Sequence, residues 1–483
     1  MKEYFIYKKF IDKMVENQNN TSISCLQDIY SYKDYDILLR PVLDIIRENK
    51  NQSLTSIRLK LFLRSGLKEI IDLFVNETKI TPGIILDFGT FKTRDTVICG
   101  NRCEVDFENG YLVSKKIPME MDTIFDLAST SKVFTAVAVL ILEEVGLIDV
   151  FDPVKKYVPE FRKLGDTTIY DLLKFRVKVV TDKRVDSAKT SDDALNILYT
   201  LHPVEKELNE NSYTDMGAMA LRIVVERVTR MQFTSFINTA ILRMIGMKDT
   251  ALREPNYNKH RIANENFSTI VTKEGFGITR YDNYPGTPHD KKAIAIGELQ
   301  GIAPGHAGYF STKDDMIKFA NNLCNGNLLK KESVFSMSDT ETGFKDLDKY
   351  TKFYGSLVYL KQPDVNNLSV YPPLSGRSFM SPGFAGTQLV VDPINNITLF
   401  VGSPRLHNRI YQIHPDQVKN IKTDEHNKKT FVLPNGEEKI VCSNYTKEKE
   451  VLVRLALDLA LQYKLLEELI PTEKEMHLVR ELN

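Results

Sequence analysis

Residues 125–142 read Phe125-Asp126-Leu127-Ala128-Ser129-Thr130-Ser131-Lys132-Val133-Phe134-Thr135-Ala136-Val137-Ala138-Val139-Leu140-Ile141-Leu142. After Lys132 nearly every position is apolar. A helix with no polar face has to lie inside the protein. Ser129 stands at the start of that helix, and Lys132 comes one turn later on the same side, at the mouth of a dry core. Burial disfavours an ammonium, and a lysine so shifted could take the proton of Ser129 Oγ and make it nucleophilic. The helix N-terminus adds a positive field for developing negative charge. An N-cap serine with a snorkelling lysine accounts for the same residues. Ser65-Gly66-Leu67-Lys68 is a second match of that plain kind.

Upstream, Gly83 to Gly89 and Thr96 to Cys99 read as short strands joined by a charged turn, with a helix over Leu67 to Asn76 before them. From about 126 to 345 helical patterns dominate. Strand signals return at Tyr354 to Leu360, Ser378 to Met380, Thr387 to Asp392 and Thr398 to Gly402, the last two joined as a hairpin by Asp392-Pro393-Ile394-Asn395-Asn396. Lys429 to Leu433 and Lys439 to Cys442 flank a Pro-Asn-Gly turn as a further hairpin, and Val451 to Leu466 is an amphipathic helix. Strands at both ends of the chain imply one sheet assembled across a long helical block. The expected layout is a helical extension over 1–65, with amphipathic segments at 3–15, 34–49 and 54–64, and a main domain over 66–483. The main domain holds an all-α subdomain at about 147–345, a β-hairpin insertion at about 404–445 and a C-terminal helix at about 447–469.

Composition narrows the function. The 64 Lys and Arg balance the 64 Asp and Glu, so the chain lacks the basic footprint of a nucleic-acid binder. It also lacks the charge that would favour an anionic membrane surface. No run approaches the ~18 apolar residues of a membrane span. The first residues, Met1-Lys2-Glu3-Tyr4-Phe5-Ile6-Tyr7-Lys8-Lys9, carry charges where a signal peptide has its apolar core. Five cysteines, an odd number, suit free thiols in a reducing compartment. Cys99 and Cys103 read as structural thiols. The expectation is a cytoplasmic protein, or at least one lacking a Sec signal.

The Ser129-Thr130-Ser131-Lys132 segment and the residues after it resemble the serine β-lactamase and penicillin-binding protein superfamily. The resemblance runs through Leu142-Glu143-Glu144-Val145-Gly146-Leu147-Ile148-Asp149, Asp152-Pro153-Val154 and Val158-Pro159-Glu160-Phe161. It is strongest to the class C-like branch of esterases, D-aminopeptidases and acyltransferases. The similarity resumes at Tyr213-Thr214-Asp215-Met216-Gly217, Val225-Glu226-Arg227-Val228-Thr229 and Ile245-Gly246-Met247-Lys248-Asp249-Thr250. It continues at Gly286-Thr287-Pro288-His289-Asp290 and Gly305-His306-Ala307-Gly308-Tyr309-Phe310-Ser311-Thr312, and spans about 67–403. It implies an α/β fold, the β-lactamase/transpeptidase-like sandwich, with an antiparallel sheet flanked by helices and an inserted all-α subdomain.

The family's Tyr-x-Asn element corresponds to Tyr213-Thr214-Asp215, in preference to the literal match Tyr281-Asp282-Asn283, whose flanks do not resemble the family. Tyr213 would relay a proton. Asp215 in place of asparagine would raise the pKa of Lys132 and move the role of base towards Tyr213. The Lys/His-Thr-Gly element corresponds to Ser381-Pro382-Gly383, without the cation and hydroxyl that grip a substrate carboxylate. That loss argues against β-lactams and D-Ala-D-Ala peptides. The backbone N–H groups of Ser129 and Phe384 would still form an oxyanion hole. Pro382, which lacks an N–H, suits an edge strand. Leu172-Leu173 is followed by Lys174-Phe175-Arg176-Val177, so the family's His-Thr-Ser-Gly loop is altered. His289 reads as a loop-stabilising or pocket-lining residue, and His306 as structural.

The resemblance thus implies a serine hydrolase that forms an acyl-enzyme on Ser129, with Lys132 and Tyr213 moving protons. Asp215, Ser381, Gly383 and His289 would touch the substrate, an ester, small amide or peptide, and no metal or organic cofactor is implied. Acyl transfer by the same chemistry and a binding or scaffold protein without turnover are the two rival readings.

Overall fold

The computed structural model describes residues 67–68, 70–205, 212–252, 259–280, 285–339, 342–345, 351–360, 374–426, 428–443 and 445–469. The expected helices at 3–15, 34–49 and 54–64 and the Tyr281-Asp282-Asn283 match lie outside them.

A nine-stranded antiparallel sheet runs in the order Thr342–Lys345, Thr351–Tyr354, Tyr359–Leu360, Phe379–Pro382, Gln388–Asp392, Ile397–Gly402, Gly83–Gly89, Arg94–Glu108, Tyr111–Pro118. Gly83–Gly89 pairs with Ile397–Gly402, Leu86 opposite Val401, so distant parts of the chain meet inside the sheet. The sequence of this strand, Gly-Ile-Ile-Leu-Asp-Phe-Gly, is buried throughout. Its side chains alternate between two cores, as the two-residue period of a strand requires. Ile84, Leu86 and Phe88 pack with Ile70, Phe74 and the helix Tyr445–Leu469. Ile85 points the other way, to the core around the helix Lys132–Glu144. That helix is buried on nearly all sides, Phe134 meeting Tyr309 and Phe319 edge to face.

The structure differs from the sequence reading in three places. The strand read as 96–99 is Arg94–Glu108, and it continues into Tyr111–Pro118, an unexpected edge strand. Its exposed Ser114, Lys115 and Lys116 break any apolar alternation, and charges on an edge also discourage pairing with another chain. The block at 147–345 is mainly helical but not all-α. Ser268–Val271 and Phe276–Thr279 form a hairpin inside it, too short to show a period. This hairpin joins a second, six-stranded sheet with Arg409–Ile413, Ile421–Thr423 and the expected hairpin Lys429–Val432/Glu438–Val441. Third, Phe379–Pro382 is an interior strand, not an edge. Pro382 is tolerated because the neighbour Tyr359–Leu360 pairs only as far as Met380, which leaves the last residues of the strand without that partner.

Candidate active site

Ser129 lies where a short strand gives way to the buried helix. Ile124–Asp126 pairs with Tyr309–Thr312, and Leu127 N donates to Tyr309 O at 2.9 Å. The chain then enters a 3-10 turn, Ala128–Ser131, ahead of the helix. Ala128 takes φ 45°, a left-handed conformation that an alanine adopts only when the surroundings impose it. Asp126 does so: Oδ1 accepts from Ala128 N at 2.8 Å, and Oδ2 accepts from His289 N at 2.8 Å. Burial pushes the Asp126 carboxyl up to about 6, against the pull of those two amides.

Lys132 is 1% exposed, and its ammonium donates in three directions. Ser129 Oγ is at 3.0 Å, the His306 carbonyl at 3.2 Å and Asp215 Oδ1 at 2.8 Å. Tyr213 is a further neighbour, hydrogen-bonded through its hydroxyl and with its ring centroid 5.0 Å from Nζ. Burial alone would lower the lysine pKa, but the Asp215 carboxylate beside it, with the Tyr213 hydroxyl in contact, outweighs burial and holds the pKa well above its ordinary value. The sequence expectation of a lysine depressed by burial is therefore corrected, in the direction that an aspartate at position 215 implies. Burial pushes the Asp215 carboxyl up, but the Lys132 charge, with His306 and Lys292, wins and holds it well below the carboxylate range.

Helix ends set this geometry. Thr214 caps the helix Asp215–Thr229, its Oγ1 accepting from Met216 N at 3.2 Å, so Tyr213 and Asp215 flank the cap. That helix packs on Lys132–Glu144. The Tyr213 ring is stacked between Phe175 at 4.9 Å and Tyr359 at 5.7 Å. Phe175, at φ 50°, comes from the altered loop, and its role as a wall for Tyr213 accounts for that loop. Thr135 Oγ1 donates to Gly305 O at 2.5 Å and steadies the turn that brings the His306 carbonyl to Lys132.

The strand end Ser381-Pro382-Gly383 lies against the Ser129 turn. Thr130 Oγ1 donates to Ser381 O at 3.1 Å, and Thr387 Oγ1 donates to Leu127 O at 3.0 Å. A Cβ on Gly383 would fall on Thr387 Oγ1 and the Leu127 carbonyl, so only glycine permits the approach. The Phe384 side chain is 47% exposed and packs on His289 and Tyr411, with ring centroids 5.9 and 5.5 Å away. His289 bonds Ser268 Oγ at 3.2 Å, and burial lowers its pKa to about 4.

Ser129, Lys132, Tyr213 and Asp215 thus converge, with Ser381, Gly383, Phe384 and His289 alongside. Sequence reading missed Asp126, Thr130, Thr387 and Lys292 as members of the site. Asp290 belongs to the family-like stretch Gly286–Asp290, but only the fold joins it to the network around Ser129. Asp215, Asp290 and His306 hold ligand-type atoms within 4.8 Å of one another. The Lys292 ammonium bonds both carboxylates there, at 3.2 and 3.0 Å, and takes the place a cation would fill.

A serine hydrogen-bonded to a buried lysine, at the junction of an antiparallel sheet and a helical block, defines a serine hydrolase of the α/β sandwich class. The chain belongs to the beta-lactamase family, whose model, Beta-lactamase, matches residues 104–422. The Escherichia coli K12 protein named "Putative D-alanyl-D-alanine carboxypeptidase" is 24% identical over 327 residues, 63% of this chain and 74% of that one. Among solved structures, "EstCE1, a hydrolase with promiscuous acyltransferase activity" aligns with TM-score 0.57 at 15% identity, over 82% of this chain and 99% of that one. The D-amino acid amidase from Ochrobactrum anthropi SV3 aligns with TM-score 0.56 at 17% identity, over 83% and 99%. Both carry the β-lactamase/transpeptidase-like fold.

Proposed function

We propose that the protein cleaves an ester or small amide through an acyl-enzyme on Ser129. The observation that carries this reading is the 3.0 Å contact between Ser129 Oγ and a buried lysine that also meets Tyr213. Lys132 is an ammonium with acceptors on its protons, so it holds charge and geometry and does not act as the base. As Ser129 Oγ bonds to the substrate carbonyl carbon, its proton passes through Tyr213 to the leaving oxygen or nitrogen, whose bond to that carbon breaks. Water then repeats the exchange in reverse and releases the acid. The backbone amides of Ser129 and Phe384 receive the oxyanion. Asp215, Ser381, Gly383 and His289 bound the substrate, a neutral small molecule, since position 381 carries no cation for a carboxylate. Four cysteines without disulfides among the described residues support the cytoplasm as its compartment. Acyl transfer to a small acceptor uses the same intermediate, and EstCE1's transferase activity keeps it as the second reading.

The test is intact-mass spectrometry after incubation with a fluorophosphonate. One adduct is expected on the wild type and none on Ser129→Ala, and Tyr213→Phe should slow its formation by about a hundredfold or more. A folded wild-type protein that takes no adduct would leave a scaffold without turnover as the better account. Product analysis of an ester with and without an alcohol acceptor separates hydrolysis from transfer.

A further inference from the structure

The lysine beside Ser129 is one member of a closed ring of charged groups. Lys132 Nζ meets Asp215 Oδ1 at 2.8 Å, and Asp215 Oδ2 meets Lys292 Nζ at 3.2 Å. Lys292 Nζ meets Asp290 Oδ2 at 3.0 Å, and Asp290 Oδ1 meets His306 Nε2 at 2.9 Å. The His306 carbonyl returns to Lys132 Nζ at 3.2 Å and closes the ring. Each carboxylate bridges two partners. Asp290 also caps the helix Lys291–Gln300, its Oδ1 accepting from Ala293 N at 2.9 Å.

Lys292 stands in the first turn of that helix, where the helix dipole opposes a positive charge. Its position there reflects the two carboxylates rather than the helix. Asp186, the next carboxylate in its field, is already paired with Arg184 at 2.7 Å. We propose that Lys292 is a positioning residue of the Ser129 site: held between Asp215 and Asp290, it fixes Asp215 on Lys132 and cancels the charge that an aspartate at position 215 brings into the cleft. This rests on the acyl-enzyme reading above.

The physical case is a count of charges. Leaving His306 aside, Lys132 and Lys292 against Asp215 and Asp290 sum to zero. Removing Lys292 takes one positive charge from beside the carbon on which an oxyanion must develop, in a half-buried cleft where screening is weak. Two carboxylates would then compete for Lys132, and Asp215 would lose the contact that orients its second oxygen. Burial pushes both carboxyls up, but Lys132 and then His306 at Asp215, and His306 at Asp290, with Lys292 adding to each, hold them below the carboxylate range.

The experiment measures the rate of fluorophosphonate labelling of Ser129 in the full-length protein. The variants are Lys292→Met, Lys292→Arg, Asp215→Asn and the double variant Lys292→Met/Asp215→Asn, each shown to be folded by its melting curve. Lys292→Met should label about ten- to a hundredfold more slowly. Lys292→Arg, which keeps the charge, should stay within about threefold of wild type. The double variant should label faster than Lys292→Met, because removing the carboxylate offsets the lost cation. A merely structural lysine would not be rescued by removing a second polar group. If Lys292→Met does not fold, Lys292→Gln alone and with Asp215→Asn carries the same comparison. Wild-type rates in the single variant, or a double variant no faster than it, overturn the proposal while leaving the hydrolase reading intact. Failure of the wild type itself to label overturns both.

Discussion

Asp126 shows how a single buried carboxyl sets the backbone ahead of Ser129. It is 2% exposed and ties Ala128 N and His289 N together, while burial and the nearby Asp290 hold its pKa at about 6. In the unfolded chain it titrates near 3.8. Between about pH 4 and 6 the folded protein therefore keeps a proton that the unfolded chain has released. Its contribution to stability is full below that window and falls by about 3 kcal/mol as pH rises through it. Asp126→Asn removes the dependence but keeps an acceptor oxygen. Urea melts at a series of pH values should show the variant gaining on the wild type by up to that amount between about pH 4 and 6; a gap that stays constant with pH would refute the assignment. Residues of this kind divide sharply in legibility. Ser129 and Lys132 share one turn, and Tyr213 and Asp215 share one helix cap, so a short motif displays each pair. Asp126, Thr130, Thr387 and Lys292 act through partners far away in the chain, and nothing in their local sequence marks them.

At the scale of elements, the cleft depends on how closely the strand end at Gly383 meets the 3-10 turn Ala128–Ser131. Two threonine hydroxyls, Thr130 and Thr387, lie 3.1 Å apart across this seam, and each can donate to the opposite backbone, Thr130 to Ser381 O and Thr387 to Leu127 O. The seam brings the segment that carries the Phe384 amide against the Ser129 turn without using the side chain at 381. That explains why Ser381 can replace a larger cation without loss of the fold. Gly383→Ala should force the seam apart, because the obstructing atoms include a backbone carbonyl that cannot swing aside. The expected result is a loss of about 1–3 kcal/mol in stability and a larger relative loss in fluorophosphonate labelling, measured on the same preparation. Labelling at the wild-type rate would show that the two turns need not touch. The strands forming this seam were legible from β-branched runs and the Asp392-Pro393 turn. The pairing partner of Pro382 was not, since an interior strand and an edge strand share the same residues and differ only in where a neighbour stops.

Over the whole molecule, two sheets have to be held in register, and the join is a buried ion pair. Glu104 lies in Arg94–Glu108 of the nine-stranded sheet, and Arg409 opens a strand of the six-stranded sheet. Arg409 is fully buried, with Nη1 at 2.6 Å from Glu104 Oε2, Nη2 at 3.2 Å from Oε1 and Nε donating to Lys79 O at 2.8 Å. His407, from the same segment, accepts from Glu104 N at 2.9 Å. Burial pushes the Glu104 carboxyl up, but the Arg409 charge outweighs it and holds the carboxyl below its ordinary 4.5. The pair's contribution is therefore present above about pH 4.5 and is lost as pH falls through the depressed value. Well-packed apolar residues often serve a buried position as well as an ion pair does, but breaking this pair from one side leaves a half-buried carboxylate without its cation. Arg409→Met should cost about 3–5 kcal/mol near pH 7 in urea melts. The cost should shrink as pH falls and Glu104 becomes protonated, and Glu104→Gln in the same chain should recover part of it. Since both sheets draw strands from distant parts of the chain, the loss should appear as one earlier transition by both far-UV circular dichroism and tyrosine fluorescence. Two separated transitions would mean that the sheets fold as independent units and that the Glu104–Arg409 pair couples them only weakly.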